Sequence, residues 1–183
     1  MTYEVKIDFD ATNWANTPNF SEDYDDISGD IDMDSINFIG WKRGKEQEEG
    51  NAPAATLEIH ITPGHCDKYS PFTTGILANK IRPWLPIRVR AYYGGEYYNE
   101  FFGFISRISI NPHINEQTVT LYCTDGTDLL ARNMETEDAD NTVSTSGGGA
   151  INLILDAAGW SHSRRNIDTT GGNIVKYPTC YEF

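Results

Sequence analysis

The sequence predicts a mainly β protein: a β-barrel followed by a short α+β segment. Three observations predict it. Several short segments alternate apolar and polar residues with the period of a half-buried strand. One long run, Pro86-Ile87-Arg88-Val89-Arg90-Ala91-Tyr92-Tyr93-Gly94-Gly95 through Phe102-Gly103-Phe104-Ile105, reads as a hairpin around a Gly-Gly turn. The one extended helical pattern comes late, after the strands.

Taken in order, Tyr3, Val5, Ile7 and Phe9 alternate with Glu4, Lys6 and Asp8, which predicts a strand with one buried face. Residues 10–26 are rich in Asn, Asp, Ser and Pro and read as a loop. Ile27–Asp34 and Ile36–Lys42 read as short strands. Gly44, Gly50 and Pro53 among charges make 42–54 an exposed connection. Thr56–Thr62 alternates again, with Leu57, Ile59 and Ile61 inward and Glu58 and His60 outward, until Pro63-Gly64 ends it. Residues 65–83 show no period and are expected to wrap across the end of the sheet.

In the hairpin, Ile87, Val89 and Ala91 share one face, Arg88 and Arg90 the other. The return arm, Glu96 to Ile110, is long for one strand, so a bulge or bend is expected near Gly103. After Asn111-Pro112, Thr118–Cys123 forms another strand, with Val119, Leu121 and Cys123 on one face. Thr124-Asp125 then caps a short helix through Leu129, Leu130 and Ala131. The acidic, then Ser/Thr/Gly-rich stretch that follows suits a linker. Ala150–Ala158 is a helix with Ile151, Ile154 and Leu155 on one stripe and Gly159 just past its end. A polar turn at 168–172 precedes a final strand. The expected organisation is a β-barrel domain over 1–135, a flexible linker over 136–149 and the start of a second α+β domain over 150–183.

The 183 residues carry a formal charge of −13. That balance argues against a free-standing nucleic-acid binder, which needs clustered Lys and Arg to neutralise phosphate. Much of the excess lies in Glu22, Asp23, Asp25, Asp26, Asp30, Asp32 and Asp34. Two readings are open: a solvated face, or a surface that repels something negative. Cys66, Cys123 and Cys180 are widely spaced and odd in number, which reads as free thiols rather than a disulfide framework. The N-terminus has no basic segment followed by an apolar core, so no secretory signal is expected. No apolar run reaches the ~20 residues that span a bilayer.

No catalytic, cofactor or metal site is expected. Asp30, Asp32 and Asp34 alternate like the start of a calcium loop, but Ser35 and Trp41 stand where that loop needs Gly and Glu. His60, His65 and Cys66, with His113, His162 or Cys180, lack the paired short spacings of a zinc site. No G-x-S-x-G marks a nucleophile, and Gly147-Gly148-Gly149 lacks the Lys of a phosphate loop and reads as a hinge. Arg164-Arg165 is a small basic spot suited to a salt bridge or an interface. Tyr92, Tyr93, Tyr97 and Tyr98 flank the hairpin turn. They serve either cross-strand packing or contact with a partner subunit or a sugar.

The order of these segments resembles the N-terminal region of phage tail hub proteins, the baseplate-hub and tail-tip components also found in prophages and phage-derived injection machines. The resemblance rests on Arg43-Gly44 and Ala55–Ile61, Tyr69-Ser70-Pro71, Pro86–Gly95 with Phe102–Ile105, and Thr118–Leu121 with Asp125 and Leu129-Leu130. It extends through Ile154–Trp160, Arg165 and Ile167-Asp168. Thr62–Asp67 replaces the family's usual Asn-Ser-Asp-Gly turn, Ile154 replaces a Leu, and Ser161 stands where the pattern has Pro. The resemblance implies a virion structural protein without enzymatic activity, assembled as a trimeric ring between the tail tube and the tip. Its partners would be other copies of itself and tail-tube, distal-tail or spike proteins. It would be made in the host cytoplasm and reside in the virion tail, with DNA passing through the lumen. Such proteins continue beyond the point where this chain stops, which predicts a fragment or a shortened reading frame. An acidic conduit would let DNA slide without sticking. A carbohydrate-binding β domain is the alternative.

Overall fold

Alternation in Thr2–Ile7 makes strand β1, with Val5 and Ile7 wholly buried. It pairs antiparallel not with its neighbour in sequence but with β4, Pro86–Tyr93, from Thr2 opposite Tyr92 to Ile7 opposite Ile87. In a computed structural model, residues 2–14, 16–31, 39–42, 54–70, 73–111, 117–128, 145–161, 163, 165–169 and 173–174 are described. The remaining strands of the main sheet are β2 (Ile39–Lys42), β3 (Thr56–Ile61), β5 (Glu96–Asn111) and β6 (Thr118–Thr124). The six run in the order β1-β4-β5-β6-β3-β2, all neighbours antiparallel.

The protein is therefore mainly β, as expected. The sheet is open: β1 and β2 are its two ends, and no ladder joins them among the described residues. One segment does touch both β1 and β3. Ile27 N donates to the Val5 carbonyl, Val5 N donates to Ser28 Oγ, and Thr62 N donates to the Asp30 carbonyl. Residues 28–30 form a 3-10 turn rather than the strand expected over Ile27–Asp34, because the chain must cross from one strand to the other. Asp32, Asp34 and the rest of that expected strand lie outside the described residues.

One face of the sheet holds the core, built from Val5, Ile7, Ile27, Leu57, Ile59, Leu85, Ile87, Val89, Ile105 and Leu121 among others. Burying each such side chain contributes roughly 1.5–3 kcal/mol, an upper estimate against a compact unfolded chain. Cys66 and Tyr69 of the 3-10 segment Pro63–Tyr69, with Leu77 and Leu85, pack into this core.

The bend expected at Gly103 is two bulges flanking it. The β4–β5 register shifts across Glu100, and the β5–β6 register shifts across Ser106. Between them β5 changes partner: it pairs with β4 from Glu96 to Phe104 and with β6 from Phe104 to Asn111. Gly103 serves a different need. A Cβ there would sit 2.3 Å from the Thr124 carbonyl oxygen.

Asp125 closes the end of β6 as a cap. Its carboxylate accepts from Thr127 N and from Ala55 N, both at 3.0 Å, and its own N–H donates to the Ala55 carbonyl. Helical backbone follows at 126–128; Leu129, Leu130 and Ala131 lie outside the described residues.

The chain divides into two compact units, one comprising residues 1–14 and 18–129, the other 15–17 and 130–183. In the second, β7 (Thr145–Ser146) pairs with β8 (Asn173–Ile174), and helix α1 spans Gly147–Ala157. The helix begins three residues earlier than Ala150, so the triple glycine is its first turn and not a hinge. Ser146 Oγ caps it by accepting from Gly149 N at 3.1 Å. Gly148 is required there: a Cβ would overlap the Asp168 carbonyl oxygen. Gly159, at φ +72°, ends the helix as expected. Residues 136–144 of the expected linker and 175–183, with the final strand, lie outside the described residues. Among the described residues no helix is long and apolar enough to cross a membrane.

Candidate functional site

Gly94 and Gly95 adopt φ of +63° and +92°, the pair of positive values a two-residue hairpin turn needs. The turn sets Tyr93 opposite Glu96, Tyr92 opposite Tyr97 and Ala91 opposite Tyr98. Alternation then divides the four tyrosines between the two faces. Tyr92 and Tyr97 lie on the face opposite the core with Arg88 and Arg90, their rings 4.9 Å apart and tilted by 50°. Tyr93 and Tyr98 lie on the other side, beyond the end of the core, and Tyr98 OH donates weakly to Glu96. All four are exposed, Tyr93 most, at 67%. Cross-strand packing accounts for the first pair; the four do not form one flat stacking platform.

Below the tip, the face opposite the core carries a charged cluster. Arg90 donates to both oxygens of Glu4, at 2.9 and 2.8 Å, and Arg88 reaches the same carboxylate at 3.2 Å. The guanidinium of Arg88 stacks on Phe20 and that of Arg90 on Tyr97. Lys6 donates to the Phe20 carbonyl. One carboxylate thus holds two arginines flat against aromatic rings, which stiffens the base of the hairpin.

The acidic stretch is not simply a solvated face. Asp25 is buried, accepts from the backbone N–H groups of Phe9 and Glu22, and is raised above the usual carboxylate range by burial. Asp30 Oδ2 accepts from the buried Tyr69 hydroxyl at 2.9 Å, while Oδ1 meets Lys68 Nζ at 2.6 Å and His65 Nδ1 at 3.0 Å. Burial and the Asp30 carboxylate push the Tyr69 phenol well above its ordinary value. Asp30 therefore ties the crossing segment to the 3-10 cap over the core. Asp8 is also buried, accepting from Asp10 N and Asn19 N. Asp10, Tyr24 and Lys80 form a surface triad in which Lys80, then Tyr24, hold Asp10 below its usual range.

Among the described residues, the histidine and cysteine candidates do not converge on a metal-ligating group. His60 lies on the face opposite the core against Thr120 and Glu58, and His65 belongs to Asp30. Cys66 Sγ donates to the Gln117 carbonyl at 3.4 Å. His113, His162 and Cys180 lie outside the described residues. Burial pushes the thiols of Cys66 and Cys123 up, disfavouring the reactive thiolate. We expect a thiol-alkylating reagent to leave both unmodified in the native protein and to modify both in denaturant, read by peptide mass mapping. Labelling of native Cys123 would contradict its burial.

In the second unit, Arg165 is the organising side chain. Its guanidinium bonds to Asp156 at 2.8 Å, to the Asn152 carbonyl at 3.2 Å and to the Trp160 carbonyl. A salt bridge, one of its two expected roles, is thus formed; Arg164 lies outside the described residues. Of the expected stripe, Ile151 and Ile154 are each more than two-fifths exposed and Leu155 is half-buried. Arg43, Gly44 and Pro71, part of the family resemblance, also lie outside the described residues. No protein-family model matches the chain, and no curated protein matches it.

Proposed function

We propose that this chain is a structural component of a phage or phage-derived tail, part of the hub ring that joins the tail tube to the tip, without catalytic activity. The observation that carries the reading is the long β4–β5 hairpin with its exposed aromatic tip, set in the order of segments that resembles tail hub proteins. The exposed Tyr92, Tyr93, Tyr97, Tyr98 and Phe102 of this hairpin suit contact with a neighbouring subunit. The charge of −13 suits a conduit for DNA.

The reading includes closure of the sheet into a barrel. The crossing segment 26–31, bonded to both β1 and β3, supports that closure. It also includes self-association as a trimeric ring, with tail-tube, distal-tail or spike proteins as further partners.

Light scattering on the purified chain, with negative-stain images of the same peak, tests the assembly. Trimers appearing as rings with a central hole are expected. A strict monomer at high concentration would overturn ring formation by this chain and leave sugar binding by Tyr92 and Tyr97, the pair that shares a face, as the reading to test.

A further inference from the structure

We propose that the loop leaving β1, residues 8–14 and 18–26 of the first unit, is a proton-operated latch: with Asp25 protonated it stays closed on the sheet, and with Asp25 ionised it loosens. The inference is independent of the tail-hub reading. It starts from how the loop is fastened. Two buried carboxylates hold its backbone. Asp25 accepts from Phe9 N at 3.4 Å and from Glu22 N at 3.2 Å, which pins the 3-10 turn Asp23–Asp25 to the chain just beyond β1. Asp8 accepts from Asp10 N at 3.1 Å and from Asn19 N at 2.8 Å. Fastened in this way, the loop lays Trp14 edge-on against Phe104 and Phe20 against the Arg88 guanidinium.

Charge makes the fastening conditional. The acidic groups that face Asp25 are Asp8 and Asp10, on the chain leaving β1, and Glu22, whose side chain accepts from the Asp25 N–H on the same turn. The cations that touch the loop are placed on other groups. Lys80 meets Asp10 and Tyr24, Arg82 the Ala11 carbonyl, Lys6 the Phe20 carbonyl and Arg88 the Phe20 ring. Closed, the Asp25 carboxylate is thus buried beside other negative groups. Burial pushes its carboxyl up, the two backbone N–H donors offset part of that, and the charges of Asp8 and Asp10 add to the rise. Protonated, the group keeps a carbonyl oxygen that can still accept from the backbone. Opening returns Asp25 to water, where it holds its proton less tightly, so opening releases a proton. The advantage of the closed form is complete below the ordinary carboxylate value of about 4 and is lost as pH rises through the raised, closed-state value.

The test is hydrogen exchange of the full chain, read by mass spectrometry from about pH 4.5 to about pH 7.5 and corrected for the intrinsic pH dependence of exchange. Amides of β3 and β6 are the internal reference. Protection of residues 9 and 19–22 should fall about fivefold relative to that reference as pH rises. Asp25→Asn, which cannot ionise, should show no such fall, whatever its absolute protection. Asp23→Asn, which removes an exposed carboxylate of the same turn, should behave as the unmodified protein does. Asp8→Asn removes a charge beside Asp25 and should shrink the fall, which keeps the proposal testable if Asp25→Asn does not fold. A flat profile in the unmodified protein, a fall that persists in Asp25→Asn or is untouched in Asp8→Asn, or an equal effect of Asp23→Asn would each overturn the proposal. So would a loss shared by the reference strands, which would mean that the chain opens as a whole.

Discussion

Gly103→Ala is expected to destabilise the main sheet by about 3 kcal/mol, an overpacking cost at the upper end of its usual range. The added Cβ would lie 2.3 Å from the Thr124 carbonyl oxygen and 2.7 Å from the Phe101 ring. Neither can step aside easily. Thr124 is held in ladders with both β3 and β5, and Phe101 is buried in the core. The strand would have to separate from β6 where it changes partner. Gly29→Ala is the control, since its Cβ would meet nothing within 4 Å. Urea denaturation of both variants measures the difference. A loss under about 0.5 kcal/mol for Gly103→Ala, the size of an ordinary surface substitution, would show that the close approach is absent.

Phe104→Ala should cost about 4 kcal/mol, although Phe104 does not belong to the main core cluster. It points to the opposite side of the sheet from Ile105 and is nevertheless wholly buried. Trp14 meets its ring edge-on with centroids 6.5 Å apart, and Phe102 packs at 5.9 Å in a similar arrangement. Removing the ring opens a cavity beneath Trp14 and frees the segment that Trp14 anchors. Tryptophan emission provides a second readout alongside the urea midpoint. If the variant lost less than about 1 kcal/mol, this outer cluster would be mere surface cover.

The main strands were legible in the sequence because each buries one face, and the alternation in Val5-Lys6-Ile7, Leu57-Glu58-Ile59 and Ile87-Arg88-Val89 states that directly. The turn was legible because Gly94-Gly95 has few other uses. The division of the tyrosines was available too: Tyr92 and Tyr93 are adjacent, so they must face opposite ways in a strand. Other features depend on distant partners that no local pattern names. Ile27–Asp30 is apolar and polar in strand-like order, yet its task is to cross between β1 and β3. Phe104 falls in phase with Arg88 and Phe102, a phase that reads as exposed until Trp14 covers it. Gly147-Gly148-Gly149 has the composition of a hinge, and only the nearby Asp168 carbonyl explains why a helix starts there.

The strand order sets how long a loop each part of the sheet must close. Around Gly94-Gly95 the rungs join residues three to seven apart. The Glu4 bonds to Arg88 and Arg90 join residues 84 and 86 apart, and β3 meets β6 across 58 (Ile61 to Val119) to 68 (Thr56 to Thr124) residues. Closing such loops costs entropy before any contact repays it. The β4–β5–β6 meander can thus assemble from its own neighbourhood, while β1 and β3 must be recruited from far upstream. Docking those two strands carries the largest loop-closure entropy in the sheet, and long-range pairing of this kind slows folding.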